Sequence, residues 1–171
     1  MSSMQFTIGG AASLQVTLTE QGDGSVRFDL LNTGAQVADL RGLFFDFRDA
    51  SLLSSLRFVG AQVTGTQARD DAVVNLGGGA TMSGAGAFDV GVAFGTAGIG
   101  KDDIRATSFT LSSTKGALDL DDFWGMDFGV RFTSVGEEGG AREGSLKLVG
   151  HAPDLPPPPP PPPPPFEFPD M

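Results

Sequence analysis

The stretch LQVTLTEQGDGSVRFDLL, from Leu14 to Leu31, decides the fold class. Each of its halves alternates apolar and polar residues, as Leu14 and Val16 do with Gln15, and a period of two is the pattern of a half-buried strand. The Gly-Asp-Gly triplet between the halves supplies the backbone freedom that a tight hairpin needs. We therefore predict two antiparallel strands joined by a turn.

The same alternation recurs along the chain. Short strands, glycine-rich turns and the lack of any long helical pattern predict an all-β fold, because parallel strands need crossover helices. We expect an antiparallel β-sandwich of jelly-roll or immunoglobulin-like type with about eight or nine strands. The recurring positions are Leu43, Phe45 and Phe47; Phe88, Val90, Val92 and Phe94; Phe109 and Leu111; Phe128, Val130 and Phe132; and Leu146 and Leu148.

Three segments depart from this pattern. DASLLSSL, which begins at Asp49, and DLDDFWGM, around Asp121 to Trp124, each favour one helical turn with an acidic residue near its start. The glycine-rich run NLGGGATMSGAGAF, from Asn75 to Phe88, lacks the Gly-Lys-Ser/Thr ending of a phosphate-binding loop and leads into a strand. It predicts a long connecting loop, either flexible or tightly turning.

Composition narrows the function classes. The chain has 171 residues, 40% of them apolar, which suits one core. Its formal charge of -10 repels nucleic acid and anionic lipid surfaces, so we expect neither as a partner. Since there is no cysteine, disulfides, thiolate metal sites and a cysteine nucleophile are excluded.

The hydropathy of the chain and its first residues bear on its cellular compartment. No window holds the roughly 18 to 20 apolar residues of a membrane-spanning helix, so we expect no membrane insertion. The first residues carry no basic and apolar signal pattern, and we expect no N-terminal signal peptide. Both an extracellular or surface location, reached by another export route, and a cytoplasmic one stay open.

A composition switch marks the domain boundary. All 25 glycines lie at or before Gly150 and all 12 prolines at or beyond Pro153. We therefore predict a β-sandwich domain over residues 1–150 and a proline-rich tail over residues 151–171. Proline fixes φ, so the run of ten prolines should form a polyproline II rod about 31 Å long, at roughly 3.1 Å per residue.

The tip of this tail, FEFPDM, is expected to bind another protein surface. Phe166 and Phe168 flank Glu167 and fall on one side of an extended tip, where two free rings would be an apolar liability. A stiff rod disfavours folding back onto its own body, so we predict docking on a neighbouring copy. The residues assigned to this docking are Pro156, Pro157, Pro158, Pro159, Pro160, Pro161, Pro162, Pro163, Pro164, Pro165, Phe166 and Phe168.

Six stretches of the body resemble, in their sequence, parts of a known kind of module. They are ADLRGLFFDF (38–47), SLLSSLRFVGAQVTG (51–65), VNLGGGATMSG (74–84), FDVGVAFGTAGIGKDDIRATSFTLSS (88–113), DFGVRFTSVG (127–136) and REGSLKLVG (142–150). Taken in order, they resemble a module of large secreted bacterial proteins of the Gly- and Asp-rich, calcium-dependent, RTX-like kind. The resemblance implies a β-sandwich, an extracellular setting and no catalysis, and it carries over no functional residues.

Catalytic chemistry has little support in the residues. The single histidine, His151, sits at the edge of the body beside the tail, where we expect a solvated residue and not a shielded base. The adjacent pairs Asp102-Asp103 and Asp121-Asp122 cannot converge on one glycosidic bond if they lie on strands, because neighbours point to opposite faces. We expect no enzyme.

Ligand binding offers two further candidates. Calcium prefers several oxygen ligands, and acidic clusters beside turning backbone provide them, although none fits the spaced Asp-x-Asp-x-Asp-Gly loop. A lone Trp124 with no tyrosine gives weak support for a carbohydrate site and is more typical of a core residue. Calcium, if present, would use Asp102, Asp103, Asp119, Asp121 and Asp122, with Asp46 and Asp49 as a third cluster.

The sequence thus favours a non-enzymatic structural subunit of an extracellular bacterial fibre or matrix, assembled head-to-tail through its tail and itself its main partner. No cofactor is required. The alternative is a calcium-dependent adhesion or ligand-binding module whose tail is a spacer or export signal.

Overall fold

Two antiparallel five-stranded sheets pack face to face, which confirms the predicted all-β sandwich. The computed structural model describes residues 2–96, 102–166 and 168–169. The first sheet contains, in order, β1 (Ser3–Ile8), β2 (Ser13–Glu20), β3 (Val26–Thr33), β8 (Ala106–Ser113) and β5 (Leu56–Val59). The second contains β10 (Gly144–His151), β9 (Asp127–Gly136), β4 (Val37–Phe45), β7 (Phe88–Phe94) and β6 (Val63–Val73).

The hairpin of β2 and β3 forms as predicted. β2 and β3 pair in register, with Leu18 opposite Phe28, and both side chains are buried. Gly22 and Gly24 in the connecting turn have φ of 81° and 89°, a left-handed conformation that glycine adopts without steric cost.

The described residues form ten strands, more than the eight or nine expected. The pattern missed β5 because its four residues directly follow a helical turn. It also missed β6, an edge strand whose alternation is interrupted by a register shift between Ala68 and Val73. Alternation weakens at such an edge, because few side chains there pack against a core.

Phenylalanine fills the space between the sheets. The rings of Phe28 and Phe109 stack with centroids 4.5 Å apart, and Phe45, from the other sheet, lies 5.3 Å from Phe28. All three are buried. Each ring buries roughly 150–250 Å² in such a core, so the sandwich does not need disulfides.

The glycine-rich loop covers the outer face of the second sheet. Its φ values are positive at Gly77, Gly78 and Gly79, which gives the tight turns that one of the two predictions for this segment required. Phe44, Val73, Met82 and Phe88 form a second small core beneath the loop. β4 is consequently buried on both faces, unlike the strands of the first sheet.

The two predicted helical turns are confirmed as 3₁₀ helices. Asp49 caps the first (Ala50–Ser55) by accepting a hydrogen bond from the Ser51 amide at 3.0 Å. Asp119 caps the second (Leu120–Asp122) in a reciprocal capping box. Within the described ranges, no helix has the length and apolar character needed to cross a membrane.

Candidate functional site

The tail leaves the body at the end of β10. Ala152 is buried, and its amide donates to the Met126 carbonyl at 2.9 Å. The Gly125 amide donates to the Pro153 carbonyl at 2.8 Å. These two backbone bonds fix the direction in which the tail departs. Trp124 beside them is half-buried against the main core, in agreement with its expected packing role.

Beyond Pro153 the described tail is exposed. Every residue from Pro153 to Phe166 is exposed, and so is Phe168. The rings of Phe166 and Phe168 are each 82% exposed, and they meet edge to face with centroids 5.2 Å apart. The tip therefore presents one compact apolar unit that its own body does not cover. Glu167 and Asp170, the acidic residues of the tip, lie outside the described residues.

A groove of about 520 Å³ lies on the outer face of the first sheet. Its floor is formed by residues of β2, β3 and β8 that point away from the core, and the turn between β5 and β6 forms one wall. Leu31 in this groove is 46% exposed, one of the few large apolar side chains left open on the body. The principal lining residues are Gln15, Thr17, Asp29, Leu31, Ala61 and Ala106.

The outer face of the first sheet differs in charge from the rest of the protein. Its five strands, all within the described ranges, carry four charged residues. One of them, Glu20, turns towards the second 3₁₀ helix and accepts a hydrogen bond from the Leu120 amide at 3.0 Å. The other three are Arg27, Asp29 and Arg57, a net charge of +1 from two cations and one anion. The whole chain carries -10.

The groove and the tail lie at opposite ends of the first sheet. The groove is at the end where Leu31 pairs with Gln15 and with Ala106. The other end, where Glu20 pairs with Val26, contacts the second 3₁₀ helix and so lies beside the point where the tail departs. The groove also opens away from the second sheet, to which β10 belongs.

The first pair of predicted calcium ligands lies before β8, and both carboxylates have protein partners. Asp103 accepts two hydrogen bonds from Arg142 at 2.8 Å each, and these bonds hold the pKa of Asp103 below its ordinary value. Asp102 Oδ2 accepts from the Thr96 amide at 2.9 Å. Asp102 Oδ1 is buried and has no hydrogen-bond partner among the described residues.

The second group of predicted ligands forms the N-terminal cap of the second 3₁₀ helix. Asp119 accepts from the Asp121 amide at 3.0 Å, and Asp122 accepts from the Asp119 amide at 3.1 Å. Burial raises the pKa of Asp122. The two groups stand at opposite ends of β8, so the structure does not bring them together.

A metal site is therefore not assembled by these residues alone. Across residues 2–96, 102–166 and 168–169, no three His, Asp or Glu side chains are grouped so as to hold a metal ion. Calcium binding stays a prediction from the sequence.

Three carboxylates lie buried or half-buried on and beside β4. Sequence reasoning singled out Asp46, in its third predicted cluster with Asp49, and missed Asp39 and Asp89. Burial raises the pKa of Asp39 to about 6, with a smaller contribution from the nearby Asp102 carboxylate. Burial and the neighbouring Asp89 raise the pKa of Asp46 to about 6 as well. Asp89 is largely committed to backbone, since it accepts from the amides of Phe47 and Asp71 at 2.9 and 2.7 Å. These groups pack the strands together and face no groove.

His151 is placed where the sequence suggested. It is exposed at the end of β10, and its Nδ1 lies 2.8 Å from the Asp127 carboxylate. No serine or threonine hydroxyl among the described residues is hydrogen-bonded to this imidazole, so the pair does not extend to a nucleophile.

The groove was not predicted from the sequence. One signal for it was present, because the Leu30-Leu31 dipeptide breaks the alternation of β3 and places a leucine on the outer face. Comparison of the chain with family models, with curated proteins and with solved structures gives no match in any of the three.

Proposed function

We propose that this protein is a non-enzymatic structural subunit that assembles head-to-tail by docking its tail on a neighbouring copy. The observation that carries the proposal is the exposed pair of rings, Phe166 and Phe168, at the end of a run of ten prolines that are all exposed. The resemblance of the body to secreted Gly- and Asp-rich modules supports an extracellular bacterial fibre or matrix as the setting.

The energetics favour docking over exposure. Burying each phenyl ring stabilises a complex by about 1.5 to 3 kcal/mol. A rod of prolines is already ordered before binding, so little conformational entropy is lost on association. A flexible tail carrying the same rings would lose more conformational entropy.

The contact is heterologous, which determines the kind of assembly. A tail that binds a different surface of the next copy leaves one free tail and one free acceptor on every oligomer. Repetition produces an open filament, or a ring if the rotation between copies closes. A fibre or matrix is the corresponding function.

The test replaces the rings and keeps the rod. Phe166→Ala combined with Phe168→Ala should abolish filaments in negative-stain microscopy and shift sedimentation towards the monomer, because both anchors are lost. Leu155→Ala is the matched control, since Leu155 is 61% exposed at the base of the same tail but far from the tip. A wild-type chain that stays monomeric at millimolar concentration, or a double variant that assembles like wild type, contradicts the proposal.

A further inference from the structure

We propose that the groove around Leu31 on the outer face of the first sheet is the acceptor for the Phe166–Phe168 tip of a second copy. The inference rests on the proposed function and adds the location of the acceptor and its chemistry.

The size and lining of the groove fit the tip. Its volume of about 520 Å³ lies within the roughly 300–1,000 Å³ of sites that enclose small organic ligands. Two phenyl rings meeting edge to face form a unit of this scale. Leu31, Ala61 and Ala106 offer apolar surface, and the amide of Gln15 and the hydroxyl of Thr17 offer hydrogen bonds on the floor.

The charge of this face suits an acidic tip. Residues 154–171 contain three acidic side chains, Asp154, Glu167 and Asp170, and no lysine or arginine. The outer face of the first sheet carries a net +1, whereas the chain as a whole is strongly acidic. An acidic tip therefore meets a weakly positive surface here, in contrast to the net negative charge of the chain as a whole.

A smaller pocket, of about 280 Å³ and lined by Arg41, Leu76 and Ala93 among others, lies on the second sheet. The outer face of this sheet is covered by the glycine-rich loop, whose carbonyls accept hydrogen bonds from Arg41, Arg131 and Lys147. The corresponding face of the first sheet has no such cover among the described residues.

Position favours a second copy as the source of the tip. The tail departs beside one end of the first sheet, on the side of the second sheet, while the groove is at the other end and on the opposite face. A stiff rod would have to reverse direction and cross the sandwich to reach the groove of its own body. A copy stacked end to end needs no reversal.

The decisive experiment separates donor from acceptor. Leu31→Asp keeps the tip but puts a charge into the groove, and we expect it to weaken self-association by at least roughly tenfold. Ala106→Glu, at an exposed groove position, should have the same effect and gives a second variant should the first fold poorly. Val149→Asp is the matched control, because Val149 is 52% exposed on β10, outside the groove, and should change association by less than about twofold.

Mixing the variants tests complementarity. Leu31→Asp has a tip without an acceptor, and the Phe166→Ala, Phe168→Ala chain has an acceptor without a tip. Each should be monomeric alone, whereas an equimolar mixture should form dimers and nothing longer, as measured by analytical ultracentrifugation. Normal assembly by both groove variants, with assembly still lost in the double Phe variant, would place the acceptor elsewhere and leave the proposed function intact. Assembly by the double Phe variant would overturn the proposed function itself.

A cysteine pair identifies the copy that supplies the tip. The native chain has no cysteine, so Thr17→Cys with Pro169→Cys places one thiol in the groove and one beside the rings. Mild oxidation should give a ladder of covalent oligomers on a denaturing gel, and the pair Ser145→Cys with Pro169→Cys should not. A bridged monomer as the main product would show that the groove receives its own tail and would overturn the second copy as occupant.

Discussion

At the scale of single residues, the buried carboxylate of Asp39 is expected to make the stability of the fold depend on pH. Its Oδ1 accepts a hydrogen bond from the Ile104 amide at 2.9 Å, while its Oδ2 is buried without a hydrogen-bond partner among the described residues. The facing charges are Arg41, Asp102 and Asp103, and the two aspartates disfavour the ionised form. Burial is nonetheless the largest cause of the raised pKa.

The raised pKa gives a pH dependence of definite sign. The folded-state pKa of Asp39 is about 6, above the ordinary 3.8, so the folded chain holds this proton more tightly than the unfolded chain. The stability from this residue is therefore fully present below about pH 4 and is lost as the pH rises through about 6. Asp39→Asn should raise the free energy of unfolding at pH 7.5 by about 1 to 3 kcal/mol, since the buried charge is removed.

Urea denaturation at pH 4.5 and at pH 7.5 measures this difference. The exposed Asp29→Asn serves as the control and should change neither value by more than about 0.5 kcal/mol. A difference between Asp39→Asn and wild type that is the same at both pH values would contradict the raised pKa.

At the scale of elements, strands with one covered face could be read from the sequence. β2 and β3 alternate because one side packs on the core and the other meets water. β4 could be placed through Leu43 and Phe45, but its burial on both faces could not, since the second cover comes from a loop more than thirty residues further along the chain. The aspartates that cap the two 3₁₀ helices could be predicted from the sequence, because they hydrogen-bond to residues next to them in the chain.

Glycine at outward positions makes room for that cover. A Cβ on Gly91 of β7 would lie 2.8 Å from Val73 Cγ1 at the end of β6 and 3.1 Å from Leu76 Cδ1 of the loop. A Cβ on Gly129 of β9 would lie 2.8 Å from Met82 Cε. The loop can therefore approach the sheet closely only where side chains are missing.

Gly91→Val should lift the loop. We expect a loss of about 1 to 3 kcal/mol in unfolding free energy, because the added methyl groups overpack the second small core. Hydrogen exchange of the amides in residues 75–83 should accelerate more than exchange in β2. Gly116→Val is the control, since a Cβ at Gly116 meets nothing within 4 Å. Unchanged loop exchange in Gly91→Val would show that the loop does not depend on this contact.

At the scale of the whole molecule, the two halves of the candidate site differ in how far they could be predicted. The tail is a composition switch, and the stiffness of proline follows from its ring, so its residues could be named in advance. The groove could not be predicted, because its wall at Ala61 and its floor at Gln15 come together only through sheet pairing. Local pattern carries no information on such a long-range approach.

The length of the rod should set the spacing of subunits, and this can be tested without changing the tip rings or the groove. Polyproline II has three residues per turn and rises about 3.1 Å per residue. Deleting Pro163 to Pro165 therefore removes one full turn, shortens the rod by about 9 Å and leaves the tip rings facing as before.

Filaments of this three-proline deletion should form with an axial repeat shorter by up to about 9 Å, measured from power spectra of electron micrographs. Deleting Pro165 alone shortens the rod by only about 3 Å but rotates the tip by roughly 120°, so we expect it to weaken assembly more than the longer deletion does. If the three-proline deletion weakened assembly more than the single deletion, or if the axial repeat were unchanged, the prolines would act as a flexible linker and not as a rigid spacer. We expect the single deletion to weaken assembly more because a stiff rod fixes the orientation of the tip as well as its distance from the body. Rings that enter the groove in the wrong orientation lose both the apolar contact and the hydrogen bonds to Gln15 and Thr17.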